Sequence, residues 1–172
     1  VLLLFFAGCV ATGIFGIGRK IPMNRVNDLG QREGYWRDSV GGGFVYDLYY
    51  KGGKKDGLYK RFYRNKLFLF GEYTADNISG TWYMFGDEGE LRCTIDSIEL
   101  NKDSIYTGYC RIFCKYKCYC ADYYPSGAVK SEGYMVCDED FMVDFWEIGE
   151  WKYYDESGNL IKTKDYGDRR TP

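Results

Sequence analysis

Cysteine is the residue type in this chain that could carry chemistry. There are seven cysteines and no histidine among 172 residues, so Ser-His-Asp and Cys-His catalysis and His-containing metal sites are excluded. Cys110, Cys114, Cys118 and Cys120 fall at even positions. One extended strand would set all four on a single face beside Ile112 and Tyr116, with Arg111, Phe113, Lys115 and Lys117 on the other. Neighbours on one strand rarely bridge, so a disulfide would run across strands, with Cys93 and Cys137 as the further candidates. The alternatives are reduced core cysteines, which the pattern favours first, and a thiolate metal site, which comes last because paired Cys-x-x-Cys knuckles are missing. Neither a metal nor another cofactor is expected.

Carboxylates are the second candidate. Seven acids and no base lie between Ser131 and Trp151, among them Asp138 and Asp140. The run lacks the Asp-x-Asp-x-Asp-Gly frame of a calcium loop and reads as a solvated face. A carboxylate-dependent glycan hydrolase is the weakest functional alternative, and no catalytic residue is assigned. The opposite charge gathers at Lys51, Lys54, Lys55, Lys60, Arg61, Arg64 and Lys66, with Asp56 the one acid in that stretch. Lys60 and Arg61 point to opposite faces of a strand, so a solvated surface is favoured over a patch for lipid phosphates or an acidic partner. The net charge is −2 and the pI near 5.3, which disfavours a nucleic-acid partner.

These side chains need a scaffold, and composition points to an all-β one. Tyr, Phe and Trp number 18, 11 and 4, Gly 22 and Pro only 3; a chain this aromatic needs a core or a stacked face. Gly34-Tyr35-Trp36, Gly57-Leu58-Tyr59, Gly80-Thr81-Trp82 and Gly149-Glu150-Trp151 repeat Gly-x-aromatic at spacings of 23, 23 and 69 residues. Other columns keep the phase, including Ser39, Phe62, Phe85 and Tyr154, and Val45, Phe68, Leu91 and Leu160. Each unit reads as strand, turn, strand, turn. Between about residues 96 and 147 the phase is lost, and the projected anchor falls on Cys118-Tyr119-Cys120. The expected fold is an elongated antiparallel sheet of tandem β-hairpins over residues 28–168, with Gly34, Trp36, Gly57, Tyr59, Gly80, Trp82, Gly149 and Trp151 as structural anchors. In a flat strand the aromatics two and five residues after each anchor position face opposite sides, which requires either a bulge or a sheet aromatic on both faces.

Gly57-Leu-Tyr-Lys-Arg-Phe-Tyr, Gly80-Thr-Trp-Tyr-Met-Phe and Gly149-Glu-Trp-Lys-Tyr-Tyr-Asp-Glu-Ser-Gly-Asn-Leu, with the linker Tyr50-Lys51-Gly52-Gly53-Lys54-Lys55-Asp56-Gly57, resemble MORN-type repeats (membrane occupation and recognition nexus). The likeness is strongest to the bacterial variant in YwqK-like proteins that carry an antitoxin label. It covers about residues 28–95 and 119–166. It implies hairpins laid side by side and a scaffolding or protein-interaction role, with membrane-lipid contact argued for some members.

The N-terminal region supplies an address. Val1 to Gly18 carry no charge, and Leu2-Leu3-Leu4-Phe5-Phe6-Ala7-Gly8-Cys9 resembles the end of a bacterial lipoprotein signal peptide. The resemblance implies diacylglyceryl transfer to the Cys9 thiol, cleavage that removes residues 1–8, and a tether over 9–27. An uncleaved anchor followed by Arg19, Lys20 and Arg25, or a buried apolar segment, are the rival readings. The sequence thus leads to a non-enzymatic lipoprotein of the bacterial cell envelope, held on the membrane by its N-terminal lipid and acting as an interaction or scaffolding module with an unassigned protein partner. A lipid-contacting module and a cytoplasmic antitoxin-like protein are the alternatives.

Overall fold

The computed structural model describes residues 22–102, 114–138 and 145–167. Cys9, Cys110 and Asp140, and with them the lipidation reading, lie outside the described residues. Eleven strands follow one another in chain order: β1 (Arg25–Val26), β2 (Arg32–Ser39), β3 (Phe44–Lys51), β4 (Lys54–Tyr63), β5 (Lys66–Thr74), β6 (Asn77–Phe85), β7 (Leu91–Leu100), β8 (Tyr116–Tyr123), β9 (Val129–Cys137), β10 (Phe145–Tyr154) and β11 (Leu160–Asp165). Each pairs antiparallel with its sequence neighbours, giving one open sheet in the order β1 to β11. The fold is the all-β array of consecutive hairpins that the repeat spacing predicts. Its first strand lies inside the stretch read as a tether, with Arg25 and Val26 opposite Glu33 and Arg32.

Turn chemistry explains the hairpins. Arg64-Asn65 and Ala75-Asp76 link β4 to β5 and β5 to β6, with φ of 48°, 65°, 49° and 70°. Two consecutive left-handed residues match the right-handed twist of the flanking strands. Gly52-Gly53 does the same between β3 and β4, with φ of 56° and 83°.

One face holds the core, where Leu48, Tyr59, Leu69, Tyr73, Ile78, Trp82, Cys93, Ile95, Tyr116, Cys118, Cys120, Met135, Cys137 and Trp151 form one buried cluster. The opposite face is aromatic as well. Tyr35 and Tyr49, Phe70 and Tyr83, and Tyr119 and Tyr134 pair across adjacent strands at 5.5, 6.0 and 5.2 Å between ring centroids. Register shifts also occur, so both devices that the repeat left open operate together.

Candidate functional site

The anchors build a line of side chains straight across the sheet. Trp36, Leu48, Tyr59 and Gly71 are successive register partners on β2 to β5. The line resumes as Trp82, Ile95, Cys120 and Gly133 on β6 to β9, and Trp151 follows on β10. Each glycine is the seat of the next tryptophan. A methyl group on Gly71 would stand 2.1 Å from the Trp82 ring, and one on Gly133 would stand 2.5 Å from that of Trp151. Because the glycine has no side chain, Trp82 reaches across β5 to Tyr59 at 5.4 Å. The two indoles seated on glycine satisfy their N–H groups: Trp82 donates to Ser79 O at 3.1 Å and Trp151 to Tyr134 O at 2.8 Å, whereas the buried Trp36 Nε1 has no hydrogen-bond partner among the described residues. At the N-terminal end of the line the Arg32 guanidinium lies 4.5 Å over Trp36.

Gly34, Gly57, Gly80 and Gly149 all adopt positive φ, at 74°, 123°, 64° and 60°. The last three sit where the register slips: Gly57 opposite Leu48/Tyr50, Gly80 opposite Phe70/Glu72, and Gly149 between Ile148 and Lys152, opposite Tyr134/Glu132. At these three positions the anchor glycine is the left-handed residue of a bulge, which turns the aromatic two positions later onto the core face. In the middle of the chain the same slip lies between Asp96 and Glu99, opposite Cys118. There the left-handed residue is Ser97, at φ 51° on the partner strand. The bulge has changed strands, so Cys118 can stand where the other units need glycine.

Arg61 and Lys55 mark one part of this face. The Arg61 guanidinium lies 4.5 Å over Phe44 and 5.1 Å over Tyr46, and the Lys55 ammonium 4.7 Å over Tyr73. Both border a cavity of about 210 Å³ with Tyr46, Tyr59, Leu69, Tyr73 and Trp82. Lys60 pairs in register with Asp47 and Phe70, which places it on the opposite face as alternation requires. On that opposite face Arg37 grips Asp47 through two nitrogens, at 2.7 and 3.1 Å.

The cysteines divide differently from the single-strand reading. Cys118 and Cys120 share the core face with Tyr116. Cys114 precedes β8 and packs in a separate cluster with Val136 and Ile148, because the strand begins only at Tyr116. Its placement beside Cys118 on one face is thereby corrected. Cys93 and Cys120 approach across β7 and β8 with Sγ atoms 3.2 Å apart, and Cys118 and Cys137 across β8 and β9 at 3.6 Å. All five described cysteines are thiols. The neighbouring Cys120 thiol, burial and the Asp122 carboxylate hold the Cys93 thiol well above its usual range, and Cys137 and burial do the same for Cys118. The Cys93 and Cys120 sulfurs lie within 4.8 Å of an Asp122 oxygen, and all three residues border a cavity of about 440 Å³ with Met84, Arg92 and Met135.

Gly71, Gly133, Asp122 and Ser131 were missed by sequence reasoning. The signal for the two glycines was a Gly inside a strand pattern, which marks close approach of another group. Asp138 lies just beyond β9, and Asp140 lies outside the described residues. Among the described residues no helix is long and apolar enough to cross a membrane.

The fold and its line of anchors define a class, an open antiparallel hairpin array with repeat-specific packing. No protein-family model matches the chain, and neither the curated proteins nor the solved structures include a match.

Proposed function

We propose that this chain is a non-enzymatic interaction module, held on a bacterial envelope membrane by lipid on Cys9, that takes an acidic partner protein on the anchor face of β2 to β5. The observation that carries the binding surface is the row of cations laid over aromatic rings there. Arg32 covers Trp36, Arg61 covers Phe44 and Tyr46, and Lys55 covers Tyr73. Cations supported by rings are pre-positioned for carboxylates, and the neighbouring rings supply apolar contact area. The MORN-type resemblance agrees with this reading, since such arrays are mostly scaffolds. The lipid address rests on the resemblance of Leu2 to Cys9 to a lipoprotein signal end.

The same cations favour a second reading, contact with lipid phosphates. A photo-crosslinking residue at Tyr46, on the anchor face, and one at Tyr83, on the opposite face, separate the two in host cells. The interaction reading predicts protein adducts from position 46, lost with Arg61→Glu, and none from position 83. Adducts to lipid alone would favour the membrane-contact reading. Equal adducts from both faces, unaffected by Arg61→Glu, would overturn both.

A further inference from the structure

We propose that Cys93, Cys120 and Asp122 form a binding site for a thiophilic divalent cation of the zinc type, with its remaining coordination position toward the cavity bordered by Met84 and Met135. The site arises where the anchor line loses its aromatic on β8. On β4 the line carries Tyr59, whose ring packs against Trp82 and Tyr73. At the matching place on β8 stands Cys120, two residues after the displaced anchor. A thiol replaces a phenol ring, and a cavity of about 440 Å³ borders it.

The ligand atoms come from two strands whose register fixes them. Cys93 is the direct partner of Asp122, and Cys120 that of Ile95. Both sulfurs and one carboxylate oxygen fall within 4.8 Å of one another. Ser131, the partner of Asp122 on β9, donates its hydroxyl to Asp122 Oδ2 at 2.9 Å. That is the kind of outer contact that orients a ligating carboxylate.

Distance distinguishes a metal from a disulfide. Tetrahedral thiolates on zinc, at about 2.3 Å each, stand about 3.8 Å apart. The Sγ atoms at 3.2 Å reach this by opening about 0.6 Å, within the swing of two χ1 angles. A disulfide needs them to close by more than about 1 Å. The two residues are also diagonal rather than directly opposite, a relation that sets Cα atoms about 7–8 Å apart in an antiparallel pair, beyond the usual bridging range. The Cys118–Cys137 pair is diagonal too, since Cys118 faces Met135 and Cys137 faces Tyr116. It is not among the residues bordering the cavity, and no carboxylate joins it among the described residues.

Binding breaks two S–H bonds, forms two metal–sulfur bonds and releases two protons to solvent, while Asp122 contributes its carboxylate. The product carries one net negative charge, and Arg92 borders the same cavity. Because binding releases the two thiol protons, it tightens with rising pH.

The test is titration of the reduced full chain with Cd²⁺, followed by the ultraviolet thiolate-to-cadmium charge-transfer band, with Zn²⁺ affinity read by competition against a chromophoric chelator. The proposal expects a band saturating at one equivalent. It is lost in Cys120→Ser, kept in Cys137→Ser, and weakened at least tenfold in affinity in Asp122→Asn, whose circular dichroism reports that the sheet is intact. Absence of a saturating band, its survival in Cys120→Ser, or its equal loss in Cys137→Ser would overturn the site. So would peptide mapping of unreduced protein that finds Cys93 joined to Cys120.

Discussion

Replacing Gly71 by alanine adds one methyl group and should be among the most damaging single changes available to this chain. The backbone at Gly71 lies outside the left-handed region, so alanine adopts it without strain. In an open strand it would stabilise by about 0.5–1 kcal/mol through reduced chain entropy. Here the new carbon would stand 2.1 Å from Cδ2, 2.4 Å from Cε2 and 2.6 Å from Cε3 of Trp82. The indole has nowhere to go: it is 1% exposed, packed on Tyr59 at 5.4 Å and Tyr73 at 5.3 Å, and hydrogen-bonded to Ser79 O. A partial shift would cost about 1–3 kcal/mol, and expulsion of the ring would approach the roughly 3–5 kcal/mol of losing a buried Trp. With so little slack we expect about 3 kcal/mol or more. Urea denaturation followed by circular dichroism should show the midpoint falling by on the order of 1.5 M. The decisive comparison is Gly71→Ala in a Trp82→Ala background, where the sign should reverse to neutral or slightly stabilising, a coupling of about 3 kcal/mol or more. A cost below about 1 kcal/mol in the parent chain, or the same cost in both backgrounds, would refute the seating of Trp82 on Gly71.

Gly80→Ala meets only the Glu72 carboxylate, 3.9 Å away, so its cost is conformational: about 1–2 kcal/mol from forcing a Cβ into the left-handed region, with Gly80→Asn recovering much of it by the same denaturation assay. The buried thiols make the protein alkali-sensitive. Cys93 and Cys118 titrate above their ordinary value of 9.0 in the folded state, so their contribution is complete below about pH 9. It is lost as the unfolded chain releases protons that the folded chain keeps, by up to about 1.4 kcal/mol per pH unit for each thiol. Urea midpoints should therefore fall between about pH 9 and 10.5, and less steeply in Cys118→Val. Arg37→Lys keeps the charge but loses the two-nitrogen grip on Asp47, whose side chain is only 13% exposed. We expect a loss of about 1 kcal/mol in thermal denaturation.

The sequence exposed the scaffold because four strands reuse one device, a left-handed glycine followed two residues later by a large ring. The 23-residue phase of Gly34, Gly57 and Gly80 marks recurring left-handed glycines, the last two of them at bulges, and the glycine- and asparagine-bearing turns delimit the strands. Contacts between strands two apart were not legible, because they depend on register summed over several bulges. Gly71 and Tyr73 fit the Gly-x-aromatic form but fall outside the 23-residue phase, yet Gly71 seats Trp82. Gly133 lies 18 residues before Trp151, while Gly71 lies 11 before Trp82, so spacing alone hid their equivalence. The transfer of a bulge from an anchor glycine to Ser97 left no periodic trace. That Cys120 stands where Tyr59 stands followed from projecting the repeat. That it would meet Cys93 and Asp122 followed only from the register of β7 with β8.

The central claim, a membrane-tethered envelope protein, is tested most directly by palmitate labelling with membrane fractionation in a bacterial host, wild type beside Cys9→Ala. The account predicts label and membrane association in the wild type, both lost in Cys9→Ala. Unlabelled protein that remains soluble would contradict the envelope address. Unlabelled protein that sediments with membranes would contradict lipidation at Cys9 and point to the apolar run from Val1 to Gly18 as an uncleaved anchor.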